Sequence, residues 1–89
     1  MPTFLVESYV PGSEQTIGEA EDRARRAAEL SEDVHHIRTT FVPGDETILH
    51  LFEAPSAEAL ERVGRRAMLE FDRIVEAVEG AGSSSRGAR

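Results

Sequence analysis

The order of strand-like and helix-like segments is the feature that most constrains this chain. Runs rich in β-branched and aromatic residues occupy positions 3–10, 34–42, 47–54 and 73–79. Helical spacing of apolar residues covers positions 14–31 and a second stretch from Ser56 to just before Phe71. Because these segments fill most of 89 residues, we expect one α+β domain with the order β-α-β-β-α-β.

Turn and capping signals divide these segments. Pro11-Gly12 ends the first strand, Thr16 and Glu19 have capping-box spacing, and positions 43–46 (PGDE) separate the two middle strands as in a hairpin. The two β-α halves match the split βαβ pattern of ferredoxin-like folds, with a four-stranded antiparallel sheet and two helices on one face. We place this domain at residues 1–79. Residues 80–89 offer no apolar side chain larger than alanine, so we expect a disordered tail.

Composition excludes several classes of site and partner. The chain has no cysteine, which excludes disulfides, thiolate metal sites and cysteine nucleophiles. Seventeen acidic and ten basic residues give a formal charge of −7, which disfavours nucleic acid and anionic membrane surfaces. The N-terminal segment lacks a basic flank and a cleavage site, and no apolar run is long enough to span a membrane. We therefore expect a cytoplasmic protein.

Side chains alternate along a strand, so each predicted strand divides into two faces. One face, expected to lie under the helices, holds Phe4, Val6, Ile37, Phe41, Leu49, Leu51, Val75 and Ala77. The other face holds Leu5, Glu7, Tyr9, His36, Arg38, Thr40, Ile48, His50, Phe52, Ile74, Glu76 and Val78. This second face is too apolar to stay exposed on a small monomer, so we expect a second copy to cover it in a dimeric α/β barrel.

The second face also carries the candidate metal ligands. In a ferredoxin-like strand order, Glu7, His50 and Glu76 could lie in one row, while His36 lies on an edge strand near the partner subunit. His35 points to the opposite face from its neighbour His36, so at most one of the two belongs to such a site. Imidazole with carboxylate suits nickel, zinc, copper or iron, and these ligands alone do not select one metal. We predict a metal site built from His36, His50, Glu7 and Glu76.

Two other functions are compatible with the same residues. Arg38 could bind the carboxylate of a small organic acid beside Tyr9, with His50 or Glu76 moving a proton. Such a protein would be a barrel enzyme without a cofactor, for example a monooxygenase or isomerase. We favour a protein that is not an enzyme. A structural or regulatory interaction module is the third possibility.

Four stretches of the chain resemble a known family. They are FLVESYVPG (4–12), FVPGDET (41–47), LFEAPSAEAL (51–60) and FDRIVEAVE (71–79). The chain is similar here to a family of short, mainly actinobacterial proteins of unknown function, one branch of which is described as nickel-binding. The resemblance implies a ferredoxin-like fold, a dimeric α/β barrel and nickel bound by histidine-containing sites.

Overall fold

The computed structural model describes residues 1–10 and 17–78. Its elements are β1 (Thr3–Tyr9), α1 (Ile17–Glu29), β2 (His35–Val42), β3 (Thr47–Glu53), α2 (Ala57–Arg66) and β4 (Arg73–Ala77), with a 3₁₀ turn at Pro43–Asp45 between β2 and β3. The predicted β-α-β-β-α-β order is confirmed. The predicted helix start at residue 14, the Thr16 cap and the tail at 80–89 lie outside the described residues.

The four strands form one antiparallel sheet in the order β2-β3-β1-β4. β1 is therefore central, between β3 and β4, and β2 lies at an edge, as a ferredoxin-like fold requires. Both helices pack on one face of the sheet. Within the described residues, no helix is both long and apolar enough to cross a membrane.

The core lies between this sheet face and the two helices. From the sheet come Phe4, Val6 and Phe52, and from α2 come Leu60 and Val63, all buried. α1 contributes only Ala24 and Ala27 as buried residues, and their small side chains let its backbone approach the sheet closely. The sheet face without helices, which we call the open face, carries a centre of Leu5, Leu49, Leu51, Val75 and Ala77 with Arg38, Thr40, Glu7 and Arg73 around it.

The predicted faces of β3 and β4 are wrong. Phe4 and Val6 lie opposite Phe52 and His50, so the set Ile48, His50, Phe52 faces the helices and Leu49 and Leu51 face away. On β4, Ile74 and Glu76 likewise lie on the helix side, and Val75 and Ala77 on the open face. Both alternating sets of β3 are apolar, so alternation alone could not decide which set lies under the helices.

A β-bulge in β2 corrects a second expectation. His36 lies opposite Phe52, but the next paired residue is Arg38, opposite Leu51, and the extra residue Ile37 sits in the register shift between them. His36 therefore shares the helix side with Thr39 and Phe41, whereas Arg38 and Thr40 lie on the open face. His35, opposite Glu53, points to the open face, so the predicted divergence of the two adjacent histidines is confirmed.

Both ends of α2 are defined by local backbone chemistry. At the start, the Ser56 side chain accepts a hydrogen bond from the backbone N–H of Ala59 at 3.1 Å, as an N-cap serine does. At the end, Met68 adopts a left-handed conformation with φ 61°, and the Leu69 N–H donates to the Gly64 carbonyl at 2.8 Å. This turn directs the chain from the helix back to β4.

Candidate metal centre

His50 is a polar side chain in the middle of the core layer. It lies on β3, between Val6 of the central strand and Thr39 of the edge strand, and none of its surface is exposed. A buried imidazole needs hydrogen-bond partners to offset its lost hydration. The contacts of its two ring nitrogens therefore determine what the residue can do.

Thr39 joins the two helix-side histidines. Its Oγ1 lies 2.8 Å from Nδ1 of His50 and 2.8 Å from Nε2 of His36. The two ring centroids are 6.2 Å apart, and both rings contact Phe52, whose centroid is 5.3 Å from that of His36. Two imidazole nitrogens from different strands thus converge on one hydroxyl oxygen.

Both imidazoles are biased toward the neutral form. Burial lowers the pKa of His50 to about 4, and the charge of nearby His36 acts in the same direction. Burial also lowers the pKa of His36, partly opposed by the carboxylate of Glu21 and by a backbone hydrogen bond to Arg38. A neutral imidazole has a nitrogen lone pair, which is the form that binds metals.

The second ring nitrogen of His50 has no hydrogen-bond partner. In the part of the chain that the structure describes, Nε2 of His50 is the buried polar side-chain atom that makes no hydrogen bond. The same residue lines a cavity of about 60 Å³ that also contacts Ser8, Glu19 and Glu70. His50 therefore contacts the Thr39 hydroxyl through Nδ1, and the same residue is among those that line this cavity.

The two carboxylates predicted as ligands lie away from this pair. Glu7 is on the open face, where its oxygens accept hydrogen bonds from Arg73 at 2.9 and 3.3 Å. Glu76 is on the helix side but lies opposite Phe4, so β1 and β3 separate it from His36. The predicted row of Glu7, His50 and Glu76 does not form within one chain, because the register pairs Glu7 with Leu49 and Arg73 instead.

The residues predicted to bind a small acid are also apart from the histidines. Arg38 lies on the open face, in a shallow depression with Thr40, Leu49 and Leu51, and His50 and Glu76 point to the other side of the sheet. Tyr9 is exposed near the end of β1, where its hydroxyl donates to Glu46 at 3.3 Å. The arrangement that the enzyme hypothesis requires is therefore absent from the described part of one chain.

Thr39 is the residue of this site that alternation along β2 does not predict. The bulge puts it three positions after His36 but on the same side of the sheet, so simple alternation assigns it to the wrong face. Nothing in the local sequence indicates the bulge. No group of three His, Cys, Asp or Glu side chains in the two described ranges is arranged to hold a metal ion, and the histidine pair supplies two nitrogen donors.

Comparison with known proteins gives a consistent result. No curated protein matches the chain. The crystal structure of SCO4226 from Streptomyces coelicolor A3(2) matches with a TM-score of 0.70 at 31% sequence identity, over 89% of this chain and 99% of that one. Residues 4–77, which include both helices and all of the sheet except Thr3, match the family model described as nickel responsive protein SCO4226-like. The chain therefore belongs to the SCO4226-like family of nickel responsive proteins.

Proposed function

We propose that this protein binds nickel or a similar divalent transition metal through His36 and His50, and that it does so as a homodimer. The observation that carries the proposal is the convergence of two imidazole nitrogens, each 2.8 Å from Thr39 Oγ1. The lowered pKa values of both histidines support the proposal. A lower pKa favours the neutral imidazole at neutral pH, so the metal has fewer protons to displace when it binds.

The donor set suits such an ion. Nickel, zinc and copper all accept imidazole nitrogen readily, and carboxylate or water completes their coordination. Rotation of the Thr39 side chain would free the point on which the nitrogens converge. The carboxylate of Glu21 is close enough to act on His36 electrostatically, and water can reach His36, which is only partly buried. The metal supplies Lewis acidity when bound, and the chain holds the two imidazoles neutral and oriented.

The open face is the basis for proposing a homodimer. Its leucine-rich centre with surrounding charged groups is the pattern of a surface that another chain covers. A second copy is the occupant that suits an 89-residue chain, because association adds burial that a domain of this size lacks. The histidine pair lies on the other side of the sheet, so in this proposal the dimer supports the metal site without supplying its imidazoles.

The test is calorimetric titration of the metal-free protein with nickel chloride. The chain has three histidines, so alanine substitutions at His35, His36 and His50 test the contribution of each imidazole to nickel binding. We expect His36→Ala, and the His36→Ala, His50→Ala double variant, to weaken nickel binding by more than about 100-fold, beyond the effect of losing an outer-shell group. His35→Ala is the matched control, because this neighbour points to the open face and should leave the affinity unchanged.

Thr39→Ala tests whether the metal takes the position of the Thr39 hydroxyl. If the metal takes the position of the hydroxyl, removing that hydroxyl strengthens binding or leaves it unchanged. Circular dichroism checks that each variant remains folded. Equal nickel affinity in the wild type and the double variant, or a loss caused by His35→Ala alone, would contradict the proposal.

A further inference from the structure

A depression of about 270 Å³ crosses the open face of the sheet. All four strands contribute to its lining, which consists of Leu5, Arg38, Thr40, Leu49, Leu51 and Ala77. Arg38 lies directly opposite Leu51, and Leu51 directly opposite Leu5, so the depression runs inward from the edge strand β2 to the central strand β1. Its size is just below the roughly 300–1,000 Å³ of typical small-molecule sites, which suits a short ligand.

The polar side chains of this lining lie together at one end. Arg38 and Thr40 both belong to β2 and alternate with Thr39, so both are on the open face. The rest of the lining is three leucines and an alanine from β1, β3 and β4. The depression therefore has a polar end at the edge of the sheet and an apolar part toward its middle. This is the pattern of a site for an amphipathic small molecule.

Arg38 adds a positive charge that its surroundings leave without a counter-charge. Of the two arginines in the sheet, Arg73 donates to both carboxylate oxygens of Glu7. Arg38 forms no salt bridge with any residue in the described ranges, although Glu53 lies on the same face of the neighbouring strand. An anion that reaches this guanidinium therefore gains a charge-assisted hydrogen bond without displacing a carboxylate.

A second subunit would increase the need for such an anion. In the homodimer proposed above, another sheet covers the open face, and the depression becomes a chamber between the subunits. Moving a guanidinium from water into an enclosed, largely apolar space is unfavourable unless an anion accompanies it. This step rests on the dimer of the proposed function, whereas the charge and the apolar lining belong to one chain.

We propose that this depression binds a small organic acid. Its carboxylate pairs with the Arg38 guanidinium and accepts a hydrogen bond from the Thr40 hydroxyl, and its apolar part lies on the leucines. A planar guanidinium matches a carboxylate through two parallel hydrogen bonds. The apolar part gains free energy by leaving water. A compound with only one of these two parts should therefore bind more weakly.

The acid should also favour the dimer. It supplies the anion that the enclosed guanidinium lacks, so its binding stabilises the state in which the open face is covered. The two equilibria are then linked. The acid promotes association, and the dimer binds the acid more tightly than a single chain does.

The first experiment follows the methyl groups of Leu5, Leu49, Leu51 and Ala77 by ¹³C NMR during titration with sodium hexanoate. We expect these signals to shift to saturation. Sodium acetate has the carboxylate without the apolar chain, and hexylammonium chloride has the chain with the opposite charge. At the same ionic strength, both should bind at least about tenfold more weakly.

The comparison with hexylammonium is stringent because the net charge of −7 favours a cation. A preference for hexanoate can then come only from a local positive charge. Equal responses to hexanoate and hexylammonium would show apolar contact alone and would overturn the proposal.

Variants locate the carboxylate. Arg38→Gln changes an exposed side chain and should weaken hexanoate binding by about tenfold, and Thr40→Val should weaken it by about two- to tenfold. Arg66→Gln is the matched control, because it removes an exposed guanidinium from α2 on the other side of the sheet. Circular dichroism checks that each variant is folded. Equal weakening by Arg38→Gln and Arg66→Gln would show a general charge effect and would contradict this site.

Light scattering with and without saturating hexanoate tests the link to the dimer. We expect hexanoate to lower the protein concentration at which the dimer forms, and Arg38→Gln to abolish this effect. If hexanoate binds to a protein that stays monomeric, the dimer of the proposed function fails while the site on one chain stands. If the protein is a dimer and hexanoate shifts none of the methyl signals, the site fails while the dimer stands. Dissociation of the dimer by hexanoate would show that the acid and the second copy compete, and would contradict the shared chamber.

Discussion

His50 combines complete burial with a titratable ring, so protonation of this ring is unfavourable in the folded state. Its pKa falls from 6.5 to about 4 on folding, because the core does not solvate the imidazolium. Between these two values the unfolded chain binds a proton that the native chain does not. The contribution of His50 therefore stabilises the protein above about pH 6.5 and is lost as the pH falls toward 4.

We predict that this loss reaches about 3 kcal/mol for His50, with His36 adding to it in the same direction. The measurement is the free energy of unfolding in urea at pH 7 and at pH 4.5, for the wild type and for His50→Gln. The variant should show a smaller decrease between the two pH values, whereas His35→Gln should behave as the wild type does. Parallel pH dependence in the wild type and His50→Gln would contradict the assignment of this effect to His50.

Met68 has a different residue-scale property, a left-handed backbone with φ 61° in a side chain that is 72% exposed. Glycine adopts this conformation without strain, and little packing is lost on removing an exposed side chain. We predict that Met68→Gly raises the free energy of unfolding by about 0.5–1 kcal/mol. Arg66→Gly, two residues earlier within α2, should instead lower it by about 1 kcal/mol. Thermal and urea unfolding of both variants provide the comparison.

At the scale of elements, the bulged edge strand β2 and its neighbour β3 hold the histidine pair together. Thr39 and Thr40 are consecutive in β2 but face opposite sides of the sheet, so they form a matched pair for substitution. We predict that Thr39→Val lowers the free energy of unfolding by about 1–3 kcal/mol, because it leaves His36 Nε2 and His50 Nδ1 without a partner.

Thr40→Val is the control for this prediction. It places the same side chain on the open face, where the change should stay within about 0.5 kcal/mol. Urea denaturation followed by circular dichroism measures both variants. Similar effects from the two substitutions would mean that the Thr39 hydroxyl contributes nothing specific to the pair.

The helices and strands also show which features of the fold and of the candidate site could be predicted from the sequence. The element order and the start of the second helix at Ser56 follow from local periodicity, and both are confirmed. The side of the sheet on which His50 lies could not be predicted, because Ile48 and Phe52 are as apolar as Leu49 and Leu51. That choice depends on long-range pairing of β3 with β1. Thr39, from another strand, supplies the hydrogen-bond partner of Nδ1 in this buried ring.

At the scale of the whole molecule, the two faces of the sheet have different roles. The helix side contains the core, the histidine pair and the cavity. The open face contains a leucine-rich surface together with the Glu7–Arg73 ion pair. In the dimer proposed above, the metal pair and the subunit interface are therefore on opposite sides of one sheet and can be altered independently.

We predict that the wild-type protein has a solution mass of twice the chain mass of 9.8 kDa. Val75→Lys places a charge on the open face and should shift the mass toward that of one chain. Val78→Lys makes the same chemical change just beyond β4 at a residue that is 87% exposed, and should leave the dimer intact. Size-exclusion chromatography with light scattering measures all three masses. A wild-type monomer, or dissociation by Val78→Lys alone, would contradict the role given to the open face.

The bulge at Ile37 also affects how this chain should be aligned with related sequences. In a regular strand, two residues on one side are separated by one intervening position, but here His36 and Thr39 are separated by two. A relative that lacks the extra residue would present the same histidine and hydroxyl to its core as His-x-Thr rather than His-x-x-Thr. A one-residue gap in this part of an alignment is thus compatible with an unchanged pair of partners, and a gapless alignment there would match residues that face opposite sides of the sheet.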